Sequence, residues 1–233
     1  MPDHSTVYTK QTELYDQMIS KQPSLLKVIE EITPLNDLDV IDMGAGSGRL
    51  TTILAPHVNS ILALDSSAEM LDLLDEKLKD QNSLNVETQV ADHRNLQAEN
   101  ESADLVVAGW TICYLASTNV ENNVHNINEI MKEIMRVLRT KGTVIIFETL
   151  GTGCETPNPP EFLKQYYSLL ENKYGFSHKW IRTDYQFESL READKLTRFF
   201  FGDDIVDKVV KENLLTLPEC AGVWWLKKEN NES

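Results

Sequence analysis

The feature that most restricts this chain is the stretch Val40-Ile41-Asp42-Met43-Gly44-Ala45-Gly46-Ser47-Gly48-Arg49-Leu50, where an apolar run gives way to glycine at every second position. Glycine lets the backbone turn sharply and lets a ligand approach to a distance that a Cβ forbids, so a strand, a tight loop and a helix from Arg49 to about Ala55 meet here. The helix start points unpaired amides at whatever fills the loop. Such a junction is a nucleotide-type ligand site. A dinucleotide loop reads G-x-G-x-x-G/A, but Arg49 stands where the third small residue belongs. Asp42 at the strand end repels a pyrophosphate and suits a ligand with positive charge, such as an ammonium or a sulfonium.

Three further motifs follow in order. Ser60 to Asp65 is a short apolar run that reads as a buried parallel strand, and its terminal Asp65, 19 residues after Gly46, can accept hydrogen bonds from both hydroxyls of a ribose. Asn85 to Val90 alternates as a third strand and leads into Ala91-Asp92-His93. Ala103 to Gly109 is a fourth strand that opens into Trp110-Thr111-Ile112-Cys113-Tyr114-Leu115. Ligands of doubly wound sheets bind beyond the carboxyl ends of the strands, which puts this last loop at the site.

With these residues the chain resembles the class I, seven-strand S-adenosylmethionine-dependent methyltransferases, especially the small-molecule branch that includes ubiquinone and menaquinone biosynthesis enzymes. The resemblance runs motif by motif from Asp39 to Leu150 and beyond that by order of elements. It implies an α/β fold: a doubly wound, mostly parallel seven-stranded sheet with an antiparallel last strand and helices on both faces. Residues 1–233 would form one domain, with 1–35 as an N-terminal helical lid and 151–176 as a substrate-covering helical insertion after strand five. The implied cofactor is S-adenosylmethionine, with a nicotinamide cofactor disfavoured by Arg49 and Asp42.

The cofactor contacts expected on this reading are Asp42, Gly44, Ala45, Gly46, Asp65, Ser66, Met70, Asp92, His93 and Gly109. In the family, the position of Asp92 accepts the adenine amino group, the backbone amide of the next residue meets a ring nitrogen, and an apolar side chain at Met70 lies on the adenine. Met70 reads equally as a core methionine, and His93 as a solvent-facing histidine. Ser66 with Glu69 three residues on reads as a capping box. Candidates for the acceptor side are Tyr15, Trp110, Tyr114, Tyr166, His178 and Arg182, with Tyr8 also near the ligand if the lid closes over it. Tyr166 and Tyr167 read as well as the packing face of an amphipathic helix, and Arg182 as a surface ion pair. Since the cofactor activates the methyl group, no conspicuous base is required; His93, His178 and Tyr114 could serve as one.

Between and beyond the motifs, helical spacing marks Thr9 to Ile19, then Leu25, Val28, Ile29 and Ile32 after a cap at Ser24, then Asn126 to Leu138 and Pro160 to Tyr174. Gly142 is expected to end the helix at Leu138, with Arg136, Arg139 and Lys141 as its solvated cationic end. Thr143 to Glu148 reads as strand five, Ser177 to Tyr185 as strand six and Gly222 to Lys227 as the last strand, with Ser189 to Asn213 mostly helical and Phe199 to Phe201 a core cluster. The loop after strand four has neither the Pro-Pro-aromatic run of amino-methylating nucleic-acid enzymes nor the Pro-Cys pair of cytosine C5 enzymes, because Ile112 precedes Cys113. Cys113 reads as a buried thiol.

Charge bears on the partner. Lys and Arg number 22 against 37 Asp and Glu, a net charge of −15, with no basic run longer than Lys227-Lys228, which argues against a nucleic-acid substrate. Three scattered cysteines, Cys113, Cys154 and Cys220, make neither a disulfide framework nor a metal site. No targeting signal or membrane-length apolar run is present, so a soluble cytoplasmic protein is expected. The leading reading is methyl transfer to a small-molecule acceptor. A methyltransferase for RNA or protein, and a non-catalytic cofactor-binding module, are the alternatives.

Overall fold

The computed structural model describes residues 11–229. The tail expected at residues 1–8, with Tyr8, lies outside the described residues. Two short helices, α1 (Thr12–Ile19) and α2 (Leu26–Glu30), precede β1 (Asp39–Met43). A four-residue helix α3 (Thr51–Leu54), extended by a 3₁₀ turn to His57, leads to β2 (Ser60–Asp65), α4 (Ala68–Asp80), β3 (Val86–Val90) and β4 (Ala103–Gly109). Then come α5 (Cys113–Ala116), α6 (Asn123–Val137), β5 (Leu138–Thr152), α7 (Glu161–Asn172) and β6 (Ser177–Arg182). The chain continues through β7 (Tyr185–Gln186), α8 (Leu190–Phe200), α9 (Asp203–Glu212) and β8 (Thr216–Leu217) to β9 (Glu219–Lys227).

Seven strands form one sheet in the order β3-β2-β1-β4-β5-β9-β6. The first five pair in parallel, while β9 slots antiparallel between β5 and β6. This is the expected doubly wound sheet with an antiparallel last strand. Alternation along the central strands feeds both faces: Val144 and Ile146 of β5 join the cluster that contains α6 and α7, and Ile145 and Phe147 join the one that contains α2 and α4. Strand order reverses between β1 and β4, and at that switch the loops after both strands open into one crevice.

Several local expectations change. The cap of α4 is Ser67, whose hydroxyl accepts the Met70 N–H at 3.3 Å, so Ser66 is left outside the helix and forms no capping box. Asp65 decides this by binding the Ser67 N–H at 2.9 Å, which fixes the chain one residue further on. Helix α6 stops at Val137, one residue short of the expected Leu138 and without Gly142 as its terminator, because Leu138 is already extended and pairs with Ala103. Two of the three cations there are tied down rather than solvated, while Lys141 is exposed. Arg136 bonds Glu133 at 2.7 Å and the carbonyls of Ala98 and Leu96, and Arg139 bridges Asp39 at 2.9 Å and Asp104 at 2.6 Å.

The segment 151–176 is not a cover. Its helix α7 buries Leu163, Tyr166, Tyr167 and Leu170 in the main core, as the layer helix between β5 and β6. The addition to the sheet lies at 183–218 instead, where β7 and β8 form a two-stranded sheet beside α8 and α9. Met18 of α1 shares a core with Tyr185, Phe187, Leu196 and Val209, and Phe200 and Phe201 pack against it. The addition therefore supports α1, which in turn lies over the crevice.

Candidate functional site

The crevice is a cavity of about 450 Å³ bounded by the loops after β1 and β4, the end of β2 and the α1 helix. Gly44, with φ +78, and Ala45 both donate to the Leu64 carbonyl, at 2.7 and 2.9 Å, so the end of β2 carries the glycine loop. A Cβ at Gly44 would collide with the Thr111 side chain. Gly46, with φ +54, has open space on the side a Cβ would take, and its N–H donates to Asp65 Oδ2 at 2.8 Å. Asp65 thus binds the loop through one oxygen and α4 through the other, with its carboxylate on the cavity wall. Because α3 has only four residues, loop amides frame the crevice rather than a helix end.

Asp42 is buried at the base of the loop. Its Oδ2 accepts the Thr51 hydroxyl at 2.6 Å and its Oδ1 has no hydrogen-bond partner among the described residues. Burial pushes its pKa up to about 7. Asp42 also borders a small void of about 30 Å³ beside the main cavity, lined in addition by Ala45, Gly46, Trp110 and Arg49. Arg49 Nη2 is also buried without a partner, and the Arg49 guanidinium carbon lies 3.8 Å from the centre of the Trp110 ring. Two buried, unpartnered groups, one acidic and one cationic, thus belong to residues that line one void.

At the far end, Asp92 lines the cavity but is held by Arg94 through Nε at 2.9 Å and Nη2 at 2.7 Å, and this pairing pulls its carboxyl down to about 2. His93 does not face solvent: it is 9% exposed, and its Nε2 lies 2.7 Å from Thr111 Oγ1. Burial lowers its pKa, which keeps the imidazole neutral. Met70 is 1% exposed, so it is a core residue whose remaining surface touches the cavity. Ser66 and Gly109 also line it.

Of the acceptor-side candidates, Tyr15, Trp110 and Tyr114 line the cavity together. The other three are elsewhere. Tyr166 is fully buried, with its hydroxyl 3.5 Å from Glu148. His178 stacks on Trp224 at 4.6 Å on the β6 side of the sheet, and Arg182 makes a two-point surface pair with Asp184 at 2.8 and 2.9 Å. Among the described residues, no group of side chains could hold a metal ion.

Sequence reasoning missed four residues: Arg49 as an unpaired cation, Thr111 as the partner of His93, and the buried acids Glu148 and Glu219. Glu148 accepts the Cys113 N–H at 3.0 Å, Glu219 accepts the Thr149 hydroxyl at 2.8 Å, and each keeps one oxygen unpartnered with its pKa pushed up to about 7 by burial. The available signal was an acid directly after the apolar run Thr143 to Phe147.

Asp42 carries a pH signature. Its folded pKa exceeds the unfolded value near 4, so folding takes up a proton between these limits, and the group's contribution falls as pH rises toward 7 and stays lost above it. Asp42→Asn is therefore expected to stabilise the ligand-free protein more at pH 8 than at pH 5. Thermal melts of both proteins at the two pH values check this, and an equal gain at both would contradict it.

The comparisons with known proteins point to one kind of protein. Residues 41–146 match a family model described as a methyltransferase domain. The structure superposes with a TM-score of 0.57 on a SAM-dependent methyltransferase from Aquifex aeolicus, covering 96% of this chain and 93% of that one at 16% identity. Over residues 41–146 the chain is thus similar to methyltransferases, and its fold is that of a SAM-dependent methyltransferase. Among curated relatives, the chain is 31% identical over 206 residues to phosphoethanolamine N-methyltransferase 1 of Caenorhabditis elegans, covering 88% of this chain and 38% of that protein. It is 30% identical over 146 residues to demethylmenaquinone methyltransferase of Thermotoga maritima, covering 61% and 55%. The chain thus spans about half the length, or less, of these two relatives.

Proposed function

We propose that this methyltransferase domain binds S-adenosylmethionine in the β1/β4 crevice and transfers its methyl group to a small-molecule acceptor. The observation that carries the reading is the pair of buried, unpartnered groups on Asp42 and Arg49, two residues that line the void under the glycine loop. Asp42 Oδ1 suits an ammonium and Arg49 Nη2 a carboxylate, and both otherwise stand unpaired. Gly44, Ala45 and Gly46 would cradle the amino-acid end, Asp65 would bind the ribose hydroxyls, and Asp92, the His93 backbone, Met70 and Ser66 would frame the adenine. Gly109 would lie beside the reacting end.

The bound cofactor supplies a sulfonium methyl carbon open to in-line displacement. The chain's own task is positioning and exclusion of water. Tyr15, Trp110, Tyr114 and Leu115 wall the cavity for an acceptor. Neutral His93 has Nδ1 unpartnered and can take a proton there if the acceptor has one to lose.

A small molecule is favoured over a nucleic acid by the charge of the wall, whose ionisable side chains besides His93 and the tyrosines are the acids Asp65, Glu69 and Asp92. The curated relatives named for phosphoethanolamine and demethylmenaquinone support the same class. Among the described residues, no helix is long and apolar enough to cross a membrane, and the three free thiols suit a reducing, cytoplasmic setting. Residues 1–35 would serve as the lid of one domain spanning the chain. The test is to incubate the protein with S-adenosylmethionine and panels of amino alcohols, phosphorylated bases, quinols, RNA and peptides, and to quantify S-adenosylhomocysteine. Turnover with a small acceptor is expected; turnover with RNA or peptide alone would contradict the reading.

The lid has a specific latch. Asp16 of α1 bonds both the Ser47 hydroxyl of the glycine loop, at 2.8 Å, and Lys77 of α4, which also donates to the Ser47 carbonyl at 2.8 Å. Partly exposed ion pairs of this kind contribute about 1 kcal/mol or less, so Asp16→Ala should raise the cofactor dissociation rate severalfold while hardly moving the melting temperature. Stopped-flow tryptophan fluorescence checks it; an unchanged rate would mean that α1 does not gate release.

A further inference from the structure

Trp110 does more than wall the crevice. It follows the last residue of β4 in a left-handed backbone conformation, φ +52, which costs a bulky residue strain energy and persists only where its surroundings hold it. Its N–H donates to the Phe147 carbonyl at 2.7 Å, and its ring stacks near Phe147, with centroids 6.1 Å apart and planes at 16°. So anchored, the indole covers the Arg49 guanidinium at 3.8 Å.

Arg49 needs such a support. Among the described residues, no carboxylate lies within ion-pair distance of it, and Nη2 is buried without a partner. Tyr185 of β7, Tyr15 of α1 and Glu219 of β9 act on its charge, but only at a distance. A guanidinium is planar and weakly hydrated, so it can lie flat on an aromatic ring while its edge donors stay available.

We propose that Trp110 is a positioning residue: it holds Arg49 on its indole face with Nη2 presented to the void beneath the glycine loop, and so makes cofactor affinity depend on the carboxylate of the amino-acid end. This rests on reading the loop as the S-adenosylmethionine site. Because the pair recognises a carboxylate, truncating the ligand and removing the indole erase the same affinity. A tryptophan acting only as a wall would weaken every adenosine thioether alike.

Isothermal titration separates the two. The probes are S-adenosylhomocysteine and 5′-methylthioadenosine, the same adenosine thioether without the amino-acid end. The proteins are the wild type, Trp110→Leu, Trp110→Tyr, Arg49→Gln and the Trp110→Leu/Arg49→Gln double variant. Trp110→Leu should lose about tenfold in affinity for S-adenosylhomocysteine with 5′-methylthioadenosine unchanged. Trp110→Tyr, which keeps an aromatic face, should restore most of the loss, and the double variant should bind no more weakly than Arg49→Gln alone. Equal weakening of both probes by Trp110→Leu, or additive losses in the double variant, would overturn the proposal. A wild type that binds neither probe would instead remove the cofactor reading on which it rests.

Discussion

Gly44→Val should abolish S-adenosylmethionine binding while the far-ultraviolet circular dichroism of the protein stays that of the wild type. Two effects act together at this position. The backbone has φ +78, which a β-branched residue adopts only under strain, and the new Cβ would collide with the Thr111 side chain across the crevice. Thr111 cannot simply yield, because its hydroxyl sits 2.7 Å from His93 Nε2. The loop must therefore move away from the Leu64 carbonyl that carries it, and with it go the Gly46 N–H and the cradle for the amino-acid end. The sheet beneath is independent of this rearrangement: β1 pairs along its length with β2, and over Val40, Ile41 and Asp42 with β4. Affinity within tenfold of the wild type would show that the ligand does not sit on this loop.

Asp65→Ala is expected to weaken cofactor binding by about 1 to 3 kcal/mol, the range for losing hydrogen bonds to a charged partner, which is roughly a 5- to 150-fold rise in Kd. Part of the loss would come from two ribose hydroxyls without an acceptor. The rest would come from the protein, since Asp65 also receives the Gly46 and Ser67 N–H groups and so couples the loop to the start of α4. Asp65→Asn separates these parts, because its amide can accept at one site only. An intermediate Kd for Asp65→Asn is expected in titrations of all three proteins, and an unchanged Kd for Asp65→Ala would remove the ribose role.

The sheet and the crevice were legible because their signals are local. A glycine loop between an apolar run and a helix, with acids closing the next two strands, defines the switch point without knowledge of distant contacts. Three-dimensional pairing decided what was not legible. Ser66 and Ser67 are both good caps, and only the Asp65 hydrogen bond selects the second. His93 is polar and follows a strand, yet Thr111, 18 residues on, buries it. The apolar stripe of α7 fits a lid as well as a layer helix, and its burial against Trp224 and the rest of the main core settles the matter. The helices of the addition at 183–218 were legible, but its small sheet was not, because β7 and β8 have two residues each, too few for any alternation to show. Arg49 illustrates the same limit at the site: its position against a dinucleotide loop was plain, but that it would stack on Trp110 and remain unpaired was not.

The central claim is that the crevice takes S-adenosylmethionine, and calorimetric titration of the wild-type protein tests it most directly, with S-adenosylhomocysteine and reduced nicotinamide dinucleotide as comparisons. Binding of both sulfur compounds at micromolar affinity, with none of the nicotinamide cofactor, is the expected result. Heat from the nicotinamide cofactor alone, or from none of the three, would contradict it.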